Sequence, residues 1–158
     1  MIKSLSISEW CQMAQKDSAP PVRIQLAGTS MFPLVRYKRD YVTVVPIEGM
    51  PKIGEIVLFP DHSRDLYVMH RVWKIQSDMV MTWGDNCINP DGWLPAKEIL
   101  GKVVLIERGN KKIKANPYKG IKWATFWHHA GKAYRLWEKI KGKIPAKVKK
   151  IIKRLLKR

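Results

Sequence analysis

Between Val22 and Ile113 the chain is cut into short runs rich in β-branched and aromatic residues: "VRIQLA", "YVTVVPI", "EIVLF", "LYVMHRVWKI", "MVMTW" and "KVVLIE". Turn formers separate them at Gly49 to Gly54, Asp61 to Asp65 and Gly84 to Gly92. Such runs suit a pleated, half-buried surface, and they are too short and too often interrupted for packed helices. No helical pattern alternates with them, so a parallel βαβ sheet is not expected. The expectation is a mainly β, antiparallel fold, either a barrel or a folded sheet. No internal repeat of fixed period is visible.

The flanks follow a different period. In "LSISEWCQMAQKD", residues 5 to 17, Leu5, Ile7, Trp10, Met13 and Ala14 fall at helical spacing, and Pro20 and Pro21 then stop the helix. Beyond "RGNKKIKANP", Trp123, Trp127, Ala130, Tyr134 and Trp137 step by four and three, and Ile144, Val148, Ile151 and Leu155 continue that rhythm. Gly142 and Pro145 should divide this stretch into two helical pieces. A chain of 158 residues accommodates one domain with a tail. The division read here is 1–21 as helix and linker, 22–114 as the β domain and 115–158 as the tail.

Charge separates the same regions. Residues 1–110 hold 13 Lys/Arg against 12 Asp/Glu, a net of +1, whereas residues 111–158 hold 17 Lys/Arg against Glu138 alone, a net of +16. The overall +17 therefore belongs to the tail and says little about the β domain. Cys11 and Cys87 form no CxxC pair and no Cys/His cluster at metal-ligand spacing, which favours free thiols in a reducing compartment. No apolar run of 18 or more residues and no secretory leader pattern is present, so neither a spanning helix nor export by cleavage is expected.

Within the β region three segments carry reactive side chains: "GTSMFP" at 28 to 33, "YVMHRV" at 67 to 72 and "WGDNCINPDG" at 83 to 92. A hydroxyl becomes a competent nucleophile when a base takes its proton, and the base works best when a third group fixes its tautomer. Ser30, His70 and Asp91 or Asp85 supply those three types. Each also has an ordinary structural explanation: a turn serine, a half-buried strand histidine, and two turn aspartates beside Asn86 and Gly92.

Taken in order, "SMFP", "IGEIVLF", "YVMHRV", "WGDN" and the Asp six residues after that first Asp resemble the type I signal peptidases, over about residues 25 to 107. The similarity is to the archaeal and endoplasmic-reticulum form, in which His replaces the Lys base of the common bacterial enzymes. The resemblance implies a signal-peptidase/LexA-like β fold and endopeptidase cleavage after a small residue. It makes Ser30 the nucleophile, His70 the general base, Asp91 the acid paired with that His, and Asp85 a supporting aspartate. The Ser30 N–H would donate to the oxyanion. Met31 and Pro33 would fix the turn and line an apolar surface beside Ser30, and Gly28 would let a substrate backbone approach. Signal peptidases commonly carry a Ser where Gly28 stands, as the related LexA-type repressors do not, and Thr29 is the neighbouring hydroxyl. The family's N-terminal spanning helix has no counterpart here.

Three readings are open for the tail: packing on the β domain, binding nucleic acid, or lying on a membrane surface. Ile144, Val148, Ile151, Ile152, Leu155 and Leu156 fall on one face of "KIPAKVKKIIKRLLKR" with basic residues on the other, the pattern of an interfacial helix on anionic lipid. Trp123, Trp127 and Trp137 suit that interface. A phosphate-binding tail needs no apolar stripe, so the expected partners are a peptide substrate with small residues at the cleavage site and an anionic membrane surface. Nucleic acid is not expected, and the alternative to a peripheral membrane location is the cytoplasm. His128 and His129 point in different directions on a helix, with no third ligand in view, so no metal and no cofactor is expected. The reading from another class is a non-catalytic membrane- or RNA-binding module that retains the peptidase fold.

Overall fold

The computed structural model describes residues 7–14, 19–117, 119–122, 124–126 and 128–130. Helix α1 (Ile7–Ala14) precedes eight strands: β1 (Val22–Gln25), β2 (Asp40–Pro46), β3 (Ile56–Asp61), β4 (Leu66–Gln76), β5 (Met79–Trp83), β6 (Gly92–Pro95), β7 (Gly101–Arg108) and β8 (Lys111–Lys114). All pairings are antiparallel, in the order β1-β2-β7-β3-β4-β5-β6, with β8 also on β7. Among the described strands β1 and β6 end the path without meeting, so of the two expected forms the sheet is folded and not a closed barrel. Strand β7 serves as its hub. It pairs along its length with β2, and its other edge is divided between β3 at Gly101 and Lys102 and β8 at Leu105–Arg108.

The folding over produces two apolar clusters. One gathers Trp10 and Cys11 of α1 with Met31, Val35, Val42, Val44, Ile56, Leu58 and Met69. The other holds Val57, Phe59, Val68, Val72, Val80 and Ile99. Strand β4 lies between them, which explains why its residues 68–72 are buried without alternation. Because side chains alternate between faces, Val68, His70 and Val72 turn one way and Met69 and Arg71 the other. Two strands escaped the sequence reading. The segment Gly92–Pro95, with Gly92 read as the end of a connection and the rest given no element, forms β6, and "KKIK", read as the start of the basic region, forms β8 behind a turn at Gly109 (φ 56°) and Asn110.

Residues 117, 119–122, 124–126 and 128–130 are helical. Asn116 begins this segment: its Oδ1 accepts the Lys119 N–H at 3.0 Å, and Pro117 follows at the first helical position. Ala124 and His128 are buried, with His128 against the rings of Trp83 and Trp73 at centroid distances of 4.0 and 5.1 Å. Trp73 is the extra residue of a bulge in β4, where the register shifts between Val72 and Lys74. The close approach of the segment requires glycine at 54, where φ is +92° and an added Cβ would run into the Pro117 carbonyl. The first part of the tail therefore packs on the sheet. Trp123, Trp127, Trp137 and the apolar stripe from Ile144 to Leu156 lie outside the described residues. Among the described residues no helix is long and apolar enough to cross a membrane.

Candidate active site

His70 sits near the middle of β4, paired with Val57 of β3, and is 4 % exposed. Phe59 lies against its ring at a centroid distance of 6.3 Å. Its Nδ1–H donates to Asp91 Oδ2 at 2.6 Å, and that same oxygen accepts the Thr82 hydroxyl at 2.8 Å. Asp91 is held there by its own backbone, since its N–H donates to the Thr82 carbonyl at 3.0 Å where β5 and β6 begin to pair. With the proton of that bond on Nδ1, Nε2 is the ring nitrogen that does not face Asp91. Burial pushes the imidazolium toward losing its proton, but the bonds and charges of Asp91 and Cys87 outweigh it and raise the His70 pKa from 6.5 to about 9.

Asp85 belongs to a different arrangement. Arg71, next to His70 but on the opposite face of β4, donates from Nε and Nη2 to Asp85 Oδ1 and Oδ2 at 2.8 and 2.7 Å, and from Nη1 to the Gly54 carbonyl at 2.8 Å. Both side chains are buried. The aspartate of "WGDN" thus braces the segment that carries Asp91 and makes no bond to His70.

Ser30 lies in the turn after β1, half-buried. Phe32 N–H donates to the Thr29 carbonyl at 3.0 Å and Val35 N–H to the Met31 carbonyl at 2.9 Å, and the Phe32–Pro33 peptide is cis. Met31 and Val35 are each 1 % exposed in the first cluster. Met31 therefore anchors the turn, and the reading that it lines a surface beside Ser30 is corrected. The exposed apolar side chain there is Phe32. Nothing in the chain demands glycine at 28, where an added Cβ would meet no atom within 4 Å and the surface is open.

Two features that hold this turn were missed. Asp40, fully buried, takes Arg36 and Arg108 together, and Arg108 Nη2 also donates to the Leu34 carbonyl at 2.7 Å. Burial alone would raise the Asp40 pKa, but the bonds from Arg108 and Arg36 hold it below the usual carboxylate value. Asn86, the last residue of "WGDN", ties the turn to the β5–β6 segment: its N–H donates to the Ser30 carbonyl at 2.7 Å and its Nδ2 to the Thr29 carbonyl at 3.3 Å. Its place in a quoted motif was the available signal. The Arg36 and Asp40 spacing of four was another, but a bridge to Arg108 sixty-eight residues away leaves no trace in sequence.

Among the described residues the Ser30 hydroxyl makes no hydrogen bond, and the nearest polar partner of His70 Nε2 is Cys87 Sγ at 3.9 Å. Cys87 follows Asn86 directly, so the residue that holds Ser30 and the one that faces Nε2 are neighbours. Gly84 is confined by the same group: a Cβ there would lie 2.6 Å from Cys87 Sγ and 2.8 Å from His70 Nε2. A cavity of about 440 Å³ opens on the Asp91 side, with Phe59, Trp93, Leu94 and Arg64 in its wall. Another, of about 600 Å³, lies on the Arg71 side among Ile56, Val103, Ile113 and Pro117, and does not reach Ser30, His70 or Asp91. Neither a protein-family model nor a curated protein matches the chain.

Proposed function

We propose that the protein is a signal-peptidase-like serine endopeptidase, with Ser30 as nucleophile, His70 as general base and Asp91 as the group that orients the base. The observation that carries this reading is the buried His70–Asp91 pair beside a segment whose Asn86 holds the Ser30 carbonyl. Asp91 fixes the tautomer that leaves Nε2 able to accept a proton, and it stabilises the imidazolium formed when Ser30 attacks. The Ser30 N–H faces the oxyanion as the carbonyl becomes tetrahedral. Open space over Gly28 admits the small residue before the scissile bond. Catalytic hydrogen bonds are commonly long in an empty site, so the Ser30 to His70 bond forms when substrate closes the site. Asp85 supports this machinery through Arg71.

The basic tail, in this reading, holds the enzyme at an anionic membrane surface as a peripheral protein. Its net charge of +16 over residues 111–158 supports the electrostatic half of that attachment, at about 1 kcal/mol for each basic residue near the lipid.

A fluorophosphonate probe should label Ser30 in the full chain, mapped by mass spectrometry, and Ser30→Ala should abolish both labelling and cleavage of a peptide with small residues before the scissile bond. Turnover that survives Ser30→Ala refutes the reading. For the tail, Ile151→Asp with Leu155→Asp keeps the positive charge and removes the stripe. Sedimentation with anionic vesicles should fall sharply in that variant, and unchanged sedimentation excludes an interfacial helix.

A further inference from the structure

The group facing His70 Nε2 is a thiol that the serine mechanism does not use. Cys87 Sγ lies 3.9 Å from Nε2, and on the far side of the ring Nδ1 is bonded to Asp91. Thiol, imidazole and carboxylate therefore stand in line, the order in which a base and its orienting group activate a nucleophile. The sulfur is held in place: Cys87 N–H donates to the Gly84 carbonyl at 2.9 Å, and Trp83 Nε1–H donates to the Cys87 carbonyl at 3.1 Å. Unlike the imidazole, Cys87 is partly open to solvent. Cys11 provides an internal contrast. It is fully buried in the first cluster, and burial, opposed in part by a hydrogen bond with Tyr67, pushes its thiol up to about 11.

We propose that Cys87 is a reversible modification site that takes a small disulfide, and that the mixed disulfide so formed closes His70 Nε2 to Ser30. In the exchange Cys87 Sγ attacks one sulfur of R–S–S–R, a Cys87–sulfur bond forms, and the disulfide bond breaks. The Cys87 sulfur is oxidised and the departing sulfur reduced. The thiol proton passes through the imidazole to solvent, and the departing sulfur leaves as RS⁻, which is protonated to RSH only where its own pKa lies above the ambient pH. Reactivity of the thiol stands on the Cys87–His70–Asp91 geometry alone, whereas closure of the site rests on the serine reading of Ser30. A group attached at Sγ occupies the space in front of Nε2, where the adjoining Gly84 already has no room for a single Cβ.

The test uses the full chain and dithiobis(nitrobenzoate) at pH 7.5, with rates followed by release of the coloured thiolate and sites mapped by mass spectrometry. Cys87 should react while Cys11 stays unmodified, and both His70→Gln and Asp91→Asn should slow Cys87 by roughly tenfold. Continued protection of Cys11 in each variant reports that the fold is intact. If His70→Gln exposes Cys11, the rate in Asp91→Asn decides. A Cys87 rate unchanged by these variants, or no faster than that of Cys11, overturns the site. In the second arm, capping should remove fluorophosphonate labelling of Ser30, reductant should restore it, and Cys87→Ala should be indifferent to the disulfide. Equal labelling before and after capping overturns the closure. If Ser30 is not labelled even in uncapped protein, the serine reading has failed, while the Cys87 rates still decide the thiol site.

Discussion

Two adjacent residues of β4, His70 and Arg71, each take an aspartate from the same segment between β5 and β6, yet the two pairs are built for different work. Arg71 uses one guanidinium edge, Nε and Nη2, on both Asp85 carboxylate oxygens, and Nη1 donates to the Gly54 carbonyl. Each guanidinium nitrogen has a partner, and the pair is shut beneath the helical segment that begins at Pro117. His70 and Asp91 share one bond, and the second ring nitrogen faces the Cys87 thiol. A closed pair stabilises one conformation, whereas the open pair leaves a ring nitrogen for the proton transfer proposed above. Strand alternation puts the two on opposite faces, so the brace can be rigid without crowding His70.

The comparison can be broken most severely at Asp91. Asp91→Asn should lower kcat/KM for peptide cleavage, measured per folded molecule, by about 10³- to 10⁴-fold through loss of the correct tautomer. A comparable activity in this variant would show that the open pair is only structural.

Asp85→Ala tests the other half. Leaving Arg71 charged and unpaired in the interior should cost about 3–5 kcal/mol of stability, read from the denaturant midpoint. Activity per folded molecule should be retained within a few-fold. Should that variant fail to fold, Arg71→Met combined with Asp85→Leu should recover much of the stability, because a buried ion pair replaced whole by apolar groups leaves no uncompensated charge. Loss of turnover in the stable double variant would move Asp85 into the chemistry.

The smallest effect is the dependence on pH. The His70 pKa is raised in the folded state, from 6.5 to about 9, so its contribution to stability is fully present below pH 6.5 and is lost as pH rises through about 9. The amount is about 3 kcal/mol. It is read as the difference in unfolding free energy between the wild type and His70→Gln across that window. Over the same window kcat/KM should climb, since only the neutral imidazole accepts the serine proton. Stability falling while activity rises would tie both to one group. An activity plateau already reached at pH 7 would contradict the raised pKa.

Local pattern was enough to reveal that the chain is mainly β and where six of the eight described strands run, and the order of the motifs brought Ser30, His70, Asp85 and Asp91 together as candidates. Short-range period and turn chemistry are written in consecutive residues, and the six-residue spacing of the two aspartates is a matter of counting. Strands β6 and β8 were obscured because four-residue strands of mixed composition have no period of their own. Their existence depends on the edges of β5 and β7 offering unpaired backbone groups. Which aspartate meets His70 was decided by the tertiary structure, since Asp85 and Asp91 come from one segment and are separated by the two faces of β4. Cys87 illustrates the same limit. In sequence it is a lone thiol, and it comes to face the His70–Asp91 pair because the turn at Gly84, which has no side chain to intervene, sets its sulfur against His70.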